Sequence, residues 1–345
     1  MMYSLDEIGL IPAKVTSIKH RGDINPFIIS PFGGEKLPVF VAPMTCLLNA
    51  NNICTFSQSK FEPILPVLSG GLELRKQLPN GSDWCGWTAM TLDEFKSEFN
   101  GCKADENKKH YILIDVANGH MEELFTIVKD AKQEYGDNLI VMTGNIANPE
   151  TYIECCESNI DYVRVGIGGG AGCTTSVQTG IHASMAWILS CIEYIKKHRS
   201  FNTSFRTKIV ADGGVSTISR AIKCLALGAD YVMMGKSFAE CTEGTVGPFQ
   251  YVIKDKAHKK LGLEHLYYGQ SSEEGQMDRF GKVKSNPEGV AKWIPVTQTL
   301  KDFEDKFEAA LRSAMSYCNA QTLQDFIGKV DYEIMSFAEF SAYNK

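Results

Sequence analysis

LIVMTGNIANPETYIECCESNIDYVRVG, residues 139–166, holds two apolar runs around one amphipathic stretch. LIVMTGNI, from Leu139, and YVRVGIG, from Tyr162, are nearly unbroken in apolar character. Strands buried on both faces of a parallel sheet read this way. NPETYIECCESN between them carries a helical pattern, with Asn148 placed to cap its start. Strand, helix and strand in that order is the repeating unit of an α/β fold.

The same unit recurs on both sides. Upstream stand VFVAPM from Val39, PILPVLS from Pro63, WCGWTAM from Trp84 and YILIDVA from Tyr111. Downstream stand KIVADGG from Lys208 and YVMMGK from Tyr231. HMEELFTIVKDAKQEYG places Leu124, Ile127, Val128 and Ala131 three and four apart and ends on Gly136, a helix stop. STISRAIKCLALGAD repeats the design, with Ser216 as its cap. Eight such strands predict a closed (β/α)₈ TIM barrel, one domain over residues 1–345, rather than an open sheet. The segment of about 267–295, YYGQSSEEGQMDRFGKVKSNPEGVAKWIP, is polar, charged and irregular, and reads as an active-site flap. Loops longer than about 12–15 residues are more often functional than idle. A helical tail follows over about 300–345, with Phe303, Phe307, Ala310 and Leu311 on one face.

Length and composition agree with one barrel. The chain has 345 residues, 44% of them hydrophobic, enough for a barrel of roughly 250 residues with insertions. A net charge of −6 argues against a nucleic-acid backbone as partner, which needs a basic face. Small phosphorylated ligands need only a local site. Acidic residues in MMYSLDEIGLIPAK stand where a secretory signal is basic and apolar, so no signal is expected. No run reaches the ~18 apolar residues of a membrane span. The 11 cysteines are odd in number and irregularly spaced, without a CxxC. That is neither a disulfide framework nor a zinc site, and a reducing cytoplasm is the expected home.

In such a barrel the active site lies at the C-terminal ends of the strands. The fourth run ends in Asp115-Val116-Ala117-Asn118-Gly119, the sixth in GIGGGAGCTT, the seventh in Asp212-Gly213-Gly214 and the eighth in Gly235-Lys236. The loops after strands seven and eight form the usual phosphate site of this fold, and glycine lets backbone N–H groups approach the anion. Asp212, just before the glycines, is placed for ribose hydroxyls. The alternative is that Gly213, Gly214 and Gly235 only make tight turns. Glycines at 166, 168, 169, 170 and 172 surround Cys173. A static element gains nothing from such a run, since each glycine costs roughly 0.5–1 kcal/mol against alanine. A cysteine on a shaped loop beyond a strand end is placed as a nucleophile, with free amides to lower its pKa. The bland reading, one more inert buried cysteine, fits a random position better than this one.

VRVGIGGGAGCTTSVQTG, residues 163–180, resembles the cysteine-loop signature of the IMP dehydrogenase and GMP reductase family. The resemblance extends over nearly the whole chain, through SLDEIGLIPAK, IDVANGH, MTGNIANPE, KIVADGGVS, GADYVMMGKSFAE, YYGQSSE, NPEG and LRSAMSY. In that family a cysteine adds to C2 of a purine nucleoside monophosphate and hydride moves between that carbon and a nicotinamide. The dehydrogenase hydrolyses the adduct made from IMP. The reductase makes the adduct from GMP with loss of ammonia and reduces it to IMP with NADPH. Three features resemble the reductase: the absence of a regulatory insert domain, DVANG at 115–119, and YYGQSSE.

The resemblance implies roles. Cys173 is the nucleophile, and Thr175 with Glu288 of NPEG handles the proton given to departing ammonia. Asp212, Gly213, Gly214, Gly235, Lys236, Gly269, Gln270 and Ser271 hold the nucleotide. Asp115, Val116, Ala117, Ile167 and Gly168 hold the cofactor, with Arg312 and Ser313 reaching it from a neighbour in a homotetramer. Backbone carbonyls of Gly168, Gly170 and Cys173 hold a monovalent cation, K⁺. Glu288 is also a proton carrier in its own right, on a polar flap that closes over substrate.

Other residues point elsewhere. Asp278-Arg279-Phe280 resembles the dehydrogenase's DRY segment, with Phe280 for the tyrosine; the plain alternative for Arg279 is a surface cation. Ala171 stands where the family has a phosphate-binding serine, and Lys236 where it has a small residue. A lysine replaces the lost attraction as a point charge. Gln270 stands for a methionine near the base, Thr45-Cys46 for Asp-Thr, and Ala309-Ala310 for a glycine pair. Two alternatives to a reductase therefore remain: an IMP dehydrogenase using NAD, and a divergent nucleotide-binding barrel for a deoxy or modified purine.

Overall fold

All eight apolar runs are strands, and they close on one another. β1 (Val39–Val41), β2 (Glu62–Leu65), β3 (Trp87–Met90), β4 (His110–Ile114), β5 (Leu139–Ile146), β6 (Tyr162–Val165), β7 (Lys208–Asp212) and β8 (Tyr231–Met234) form one parallel barrel. It is sealed where β8 meets β1, Val232 opposite Val39. This computed structural model describes residues 3–69, 77–99, 108–170, 172–198, 205–244, 250–254, 261–284, 286–336 and 339.

The apolar runs follow from burial. β1, β2, β3 and β8 are buried at every position, inside against the barrel core and outside against helices. Each large apolar side chain so buried contributes about 1.5–3 kcal/mol. At the N-terminal end the interior is filled by rings in tilted and edge contact. Phe40 lies 5.7 Å from Trp87 and 5.0 Å from Tyr231, and Trp87 5.3 Å from Tyr162. That plug leaves the opposite end for a site.

Helices α1 (Ile53–Gln58), α2 (Leu92–Phe99), α3 (Glu122–Tyr135), α4 (Thr151–Glu157), α5 (Met185–His198) and α6 (Ile218–Ala226) lie between strands. α3 buries Leu124, Val128 and Ala131 and stops at Gly136, whose φ of 54° with ψ of −131° is a conformation that favours glycine. Both predicted caps shift by one or two residues. The N-cap of α4 is Glu150, and Asn148, two residues earlier, accepts from its N–H at 3.0 Å. At α6 the capping hydroxyl belongs to Thr217, not Ser216.

The flap is regular where an irregular loop was expected. β9 (Gln250–Lys254), β10 (Leu261–Tyr268) and β11 (Ala291–Pro295) form an antiparallel sheet, and α7 (Glu273–Phe280) fills the connection from β10 to β11. Ser272 caps α7 by accepting from Gly275 N–H. The helix is hard to see in the sequence because it buries Gly275 and Gln276 and leaves Met277 47% exposed. Its apolar period is absent.

Among the described residues the long helix of the tail takes up its first part. α8 (Leu300–Tyr317) buries Phe303, Phe307 and Leu311, with Ala310 packed beside them. After a short helix, Leu323–Phe326, the strand Tyr332–Ile334 pairs antiparallel with Ile8–Leu10. Ten cysteines are free thiols among the described residues. Among those residues no three His, Cys, Asp or Glu side chains stand close enough to share a metal ion, and no helix is long and apolar enough to cross a membrane.

Candidate active site

Beyond the C-terminal strand ends lies a cavity of about 430 Å³, in the range of small-ligand sites. Asp115-Val116-Ala117 after β4, the glycine loop after β6, Asp212-Gly213-Gly214 after β7 and Gly235-Lys236 after β8 all line it. Gly269-Gln270-Ser271, Arg279 and Glu288 close it from the flap side. Arg312 and Ser313 lie on α8 and do not line it. Arg312 instead pairs with Glu308 at 2.8 Å and donates to the carbonyl of Ile24.

The cysteine loop is held from two sides. Gly166 has φ of 122°, and a Cβ there would sit 2.3 Å from the Asp212 carbonyl oxygen. A Cβ on Gly172 would lie 2.9 Å from Gly269 N. Only glycine permits both approaches. The flap then joins the loop through main chain: Thr174 N–H donates to Glu288 O, and Val290 N–H to Gly172 O, both at 3.0 Å. Cys173 and Gly289 face each other across this antiparallel bridge.

That joint sets a three-residue relay. The half-buried Cys173 thiol donates to Thr175 Oγ1 at 3.3 Å, and the Thr175 hydroxyl donates to Glu288 Oε2 at 2.9 Å. A thiol, a hydroxyl and a carboxyl group are thus in hydrogen-bond series. They come from the sixth strand's loop and from the flap, 113 residues apart for Thr175 and Glu288.

A buried charge network supports the opposite wall. Arg164 Nη2 contacts Asp115 Oδ1 at 2.8 Å, and Arg164 Nη1 lies 3.7 Å from Asp212. Asn145 bridges Asp212, at 2.9 Å, to the Gly166 carbonyl, at 2.8 Å. Arg279 reaches Asp115 from the flap at 3.2 Å, with side chains only 12% and 10% exposed. Arg279 is therefore not a surface cation; it ties α7 to the barrel. Burial alone pushes the Asp115 carboxyl up, but Arg279 and Arg164 outweigh it and hold the group below its ordinary value. Asp212, with Arg164 more distant, is pushed up by burial.

A prediction follows from Asp115. A carboxyl lowered in the fold adds stability above the ordinary carboxylate range and loses it as pH falls through its native value. Arg279→Ala removes one of its two counter-charges. The variant is expected to melt earlier at neutral pH, by about 1–3 kcal/mol, since Arg164 still partners the buried group. The gap to wild type should close as pH falls and Asp115 protonates. Thermal melts across pH check this; a gap independent of pH refutes it.

At the end of β8 a Cβ on Gly235 would sit 2.7 Å from the Tyr267 hydroxyl oxygen, so the strand end and the flap meet there. Lys236 Nζ lies 3.5 Å from Glu240. Arg220 pairs with Asp6 through Nε at 2.8 Å and backs the Gly214 carbonyl at 3.0 Å. Ala171 lies outside the described residues. Gln270 donates to the Pro43 carbonyl, and Cys46, its thiol pushed up to about 12 by burial, donates to Tyr268 O. Sequence reading missed Asn145, Arg164, Arg220 and Tyr267. Arg164 did leave a signal: a charge inside a doubly buried strand needs a partner at the site.

The IMP dehydrogenase / GMP reductase domain model matches residues 100–342. The chain belongs to that family. Among family relatives, the GMP reductase of Clostridium acetobutylicum is 28% identical over 345 residues, 99% of this chain and 98% of that protein. The GMP reductase of Staphylococcus carnosus is 28% identical over 347 residues, again 99% and 98%. That of Streptococcus pneumoniae serotype 4 is 28% identical over 337 residues, 97% and 95%. The family segments scattered along the sequence, IDVANG, the cysteine loop, ADGG, MMGK, YYGQSSE and NPEG, meet around one cavity.

Proposed function

We propose that this protein is a GMP reductase, one catalytic barrel without a regulatory insert. It converts one GMP, one NADPH and two protons to one IMP, one NADP⁺ and one ammonium ion. The observation that carries the reading is the Cys173–Thr175–Glu288 relay in the cavity wall. Likeness to proteins named GMP reductase over nearly the full length supports it.

The phosphate sits on the backbone of Gly213, Gly214 and Gly235 with Lys236 as its cation, Asp212 takes the ribose, and Gly269, Gln270 and Ser271 border the base. The thiol proton passes through Thr175 to Glu288 as Cys173 Sγ bonds to C2. Glu288 then protonates the 2-amino nitrogen, the C–N bond breaks, and ammonia leaves. NADPH, when bound, supplies the hydride to C2, after which the C–S bond breaks and Cys173 is regenerated. The wall of Asp115, Val116, Ala117, Ile167 and Gly168 would suit a nicotinamide, with Asp115 fixed beside it by Arg164 and Arg279. Arg312 and Ser313 would reach the cofactor from another copy. Carbonyls of Gly168, Gly170 and Cys173 would hold K⁺, and activity should rise with K⁺ and survive chelators.

Arg279 in the cavity wall favours a second reading, a dehydrogenase that uses the arginine to activate water. The absorbance of reduced nicotinamide separates the two: GMP with NADPH should lose it, whereas IMP with NAD would gain it. Nucleotide binding without either change would leave the divergent barrel. Light scattering should give a homotetramer, and a monomer at working concentration contradicts that expectation.

A further inference from the structure

We propose that His120 is a positioning residue: its neutral imidazole clasps the loop after β4 to the loop after β5, holding one wall of the cavity in shape, and protonation opens the clasp. The clasp stands on hydrogen bonds alone. What binds the wall, the dinucleotide, rests on the reductase reading above.

The tautomer follows from the partners. The backbone N–H of His120 donates to Asn118 Oδ1 at 3.1 Å, so that atom is an acceptor. His120 Nδ1 lies 2.9 Å from the same oxygen and therefore carries the ring proton. Nε2 is left bare. It accepts from Ala147 N–H at 3.1 Å and, more weakly, from Asn148 N–H at 3.4 Å. Backbone amides can only donate. A proton on Nε2 would point at two donors, and neither bond would survive.

The clasp sits where the two loops approach most closely. Gly119 N–H donates to Asn145 O at 3.0 Å, and a Cβ on Gly119 would lie 2.7 Å from that oxygen. Asp115, Val116 and Ala117 line the cavity just before the clasp on one loop, and Asn145 just before it on the other. His120 does not line the cavity itself, so it acts through these segments.

The elements that meet at the ring carry carboxylates. Asp115 follows β4, Glu122 and Glu123 open α3, and Glu150 caps α4. Asp115 is held by Arg164 and Arg279, and Glu123 by Lys96. Among the described residues none of these carboxylates bonds to the imidazole, whose partners are Asn118, Ala147 and Asn148. Burial lowers the ring's pKa and favours the neutral form that the clasp needs. The clasp is therefore at full strength above the ordinary imidazole value of about 6.5, and is lost as pH falls from there through the lower native value.

The test compares wild type, His120→Gln and His120→Ala at about pH 7.5 and about pH 5, on either side of the ordinary imidazole range. Glutamine sets an amide oxygen near the place of Nε2 and does not titrate, whereas alanine offers no acceptor. Hydrogen exchange of segment 145–150 reads the clasp. Calorimetric titration with NADP⁺, the acid-stable form of the cofactor, reads the wall. Wild type should match His120→Gln at the higher pH and His120→Ala at the lower, by both measures. The NADP⁺ affinities of the two variants should differ about two- to tenfold, the worth of one hydrogen bond, while GMP affinity moves less than about twofold. A gap between wild type and His120→Ala that stays constant with pH overturns the inference. So does an exchange difference that NADP⁺ affinity does not follow. If NADP⁺ binds at neither pH, the reductase reading falls, and the exchange comparison alone decides the clasp.

Discussion

Cys173→Ala is expected to abolish turnover while nucleotide binding survives. The thiol donates to the Thr175 hydroxyl, and that hydroxyl keeps its bond to Glu288 at 2.9 Å when sulfur is removed. The loop itself is held by main chain at Thr174 and Val290, which the substitution does not alter. The glycine loops after β7 and β8, the proposed phosphate site, are untouched. What disappears is the atom that bonds to C2, and losing a nucleophile of this kind costs on the order of 10⁴-fold or more in kcat. Steady-state kinetics beside calorimetric titration with GMP separates the two properties. Residual turnover near wild type would sink the covalent route.

The second large effect is expected at Glu288. Ammonia leaves poorly unless protonated as it goes, and proton transfer from a placed acid is typically worth about 10²–10⁴-fold. Glu288→Gln keeps an oxygen for the Thr175 hydroxyl and loses the proton. Ammonia release from GMP should slow by about 3–5 kcal/mol of barrier, with GMP affinity little changed. Single-turnover kinetics with GMP and NADPH measures this directly. A small loss at Glu288 together with a large one in Arg279→Ala would instead point to the dehydrogenase.

The barrel was legible because parallel strands buried on both faces have no polar alternation to obscure them; YVMM and VFV are continuous apolar runs and both are strands. The cavity residues were legible where glycine or cysteine broke such a run at its end. Two kinds of residue were not. α7 packs through Gly275 and Gln276, so its buried face carries no hydrophobic signature. Asn145 and Tyr267 look like ordinary strand residues until the strands are set beside each other, since their partners, Asp212 and Gly235, come from distant parts of the chain. Arg279 reads either way in the sequence for the same reason: its partner Asp115 is 164 residues away.

Glu288 is held beside the cysteine mainly by a bridge of peptide groups, Thr174 N–H on Glu288 O, Val290 N–H on Gly172 O and Glu288 N–H on Ser271 O. Such a bridge does not register which side chains precede it. Between Gly281 and Asn286 the chain can lengthen, shorten or change charge without re-aiming the carboxyl. The flap is therefore a modular joint: one stretch is free to drift or be grafted, and the other keeps its aim. Lineages can retune the mouth of the site by insertion and deletion, and an engineer can exchange that stretch for a foreign loop, with the acid still at its post.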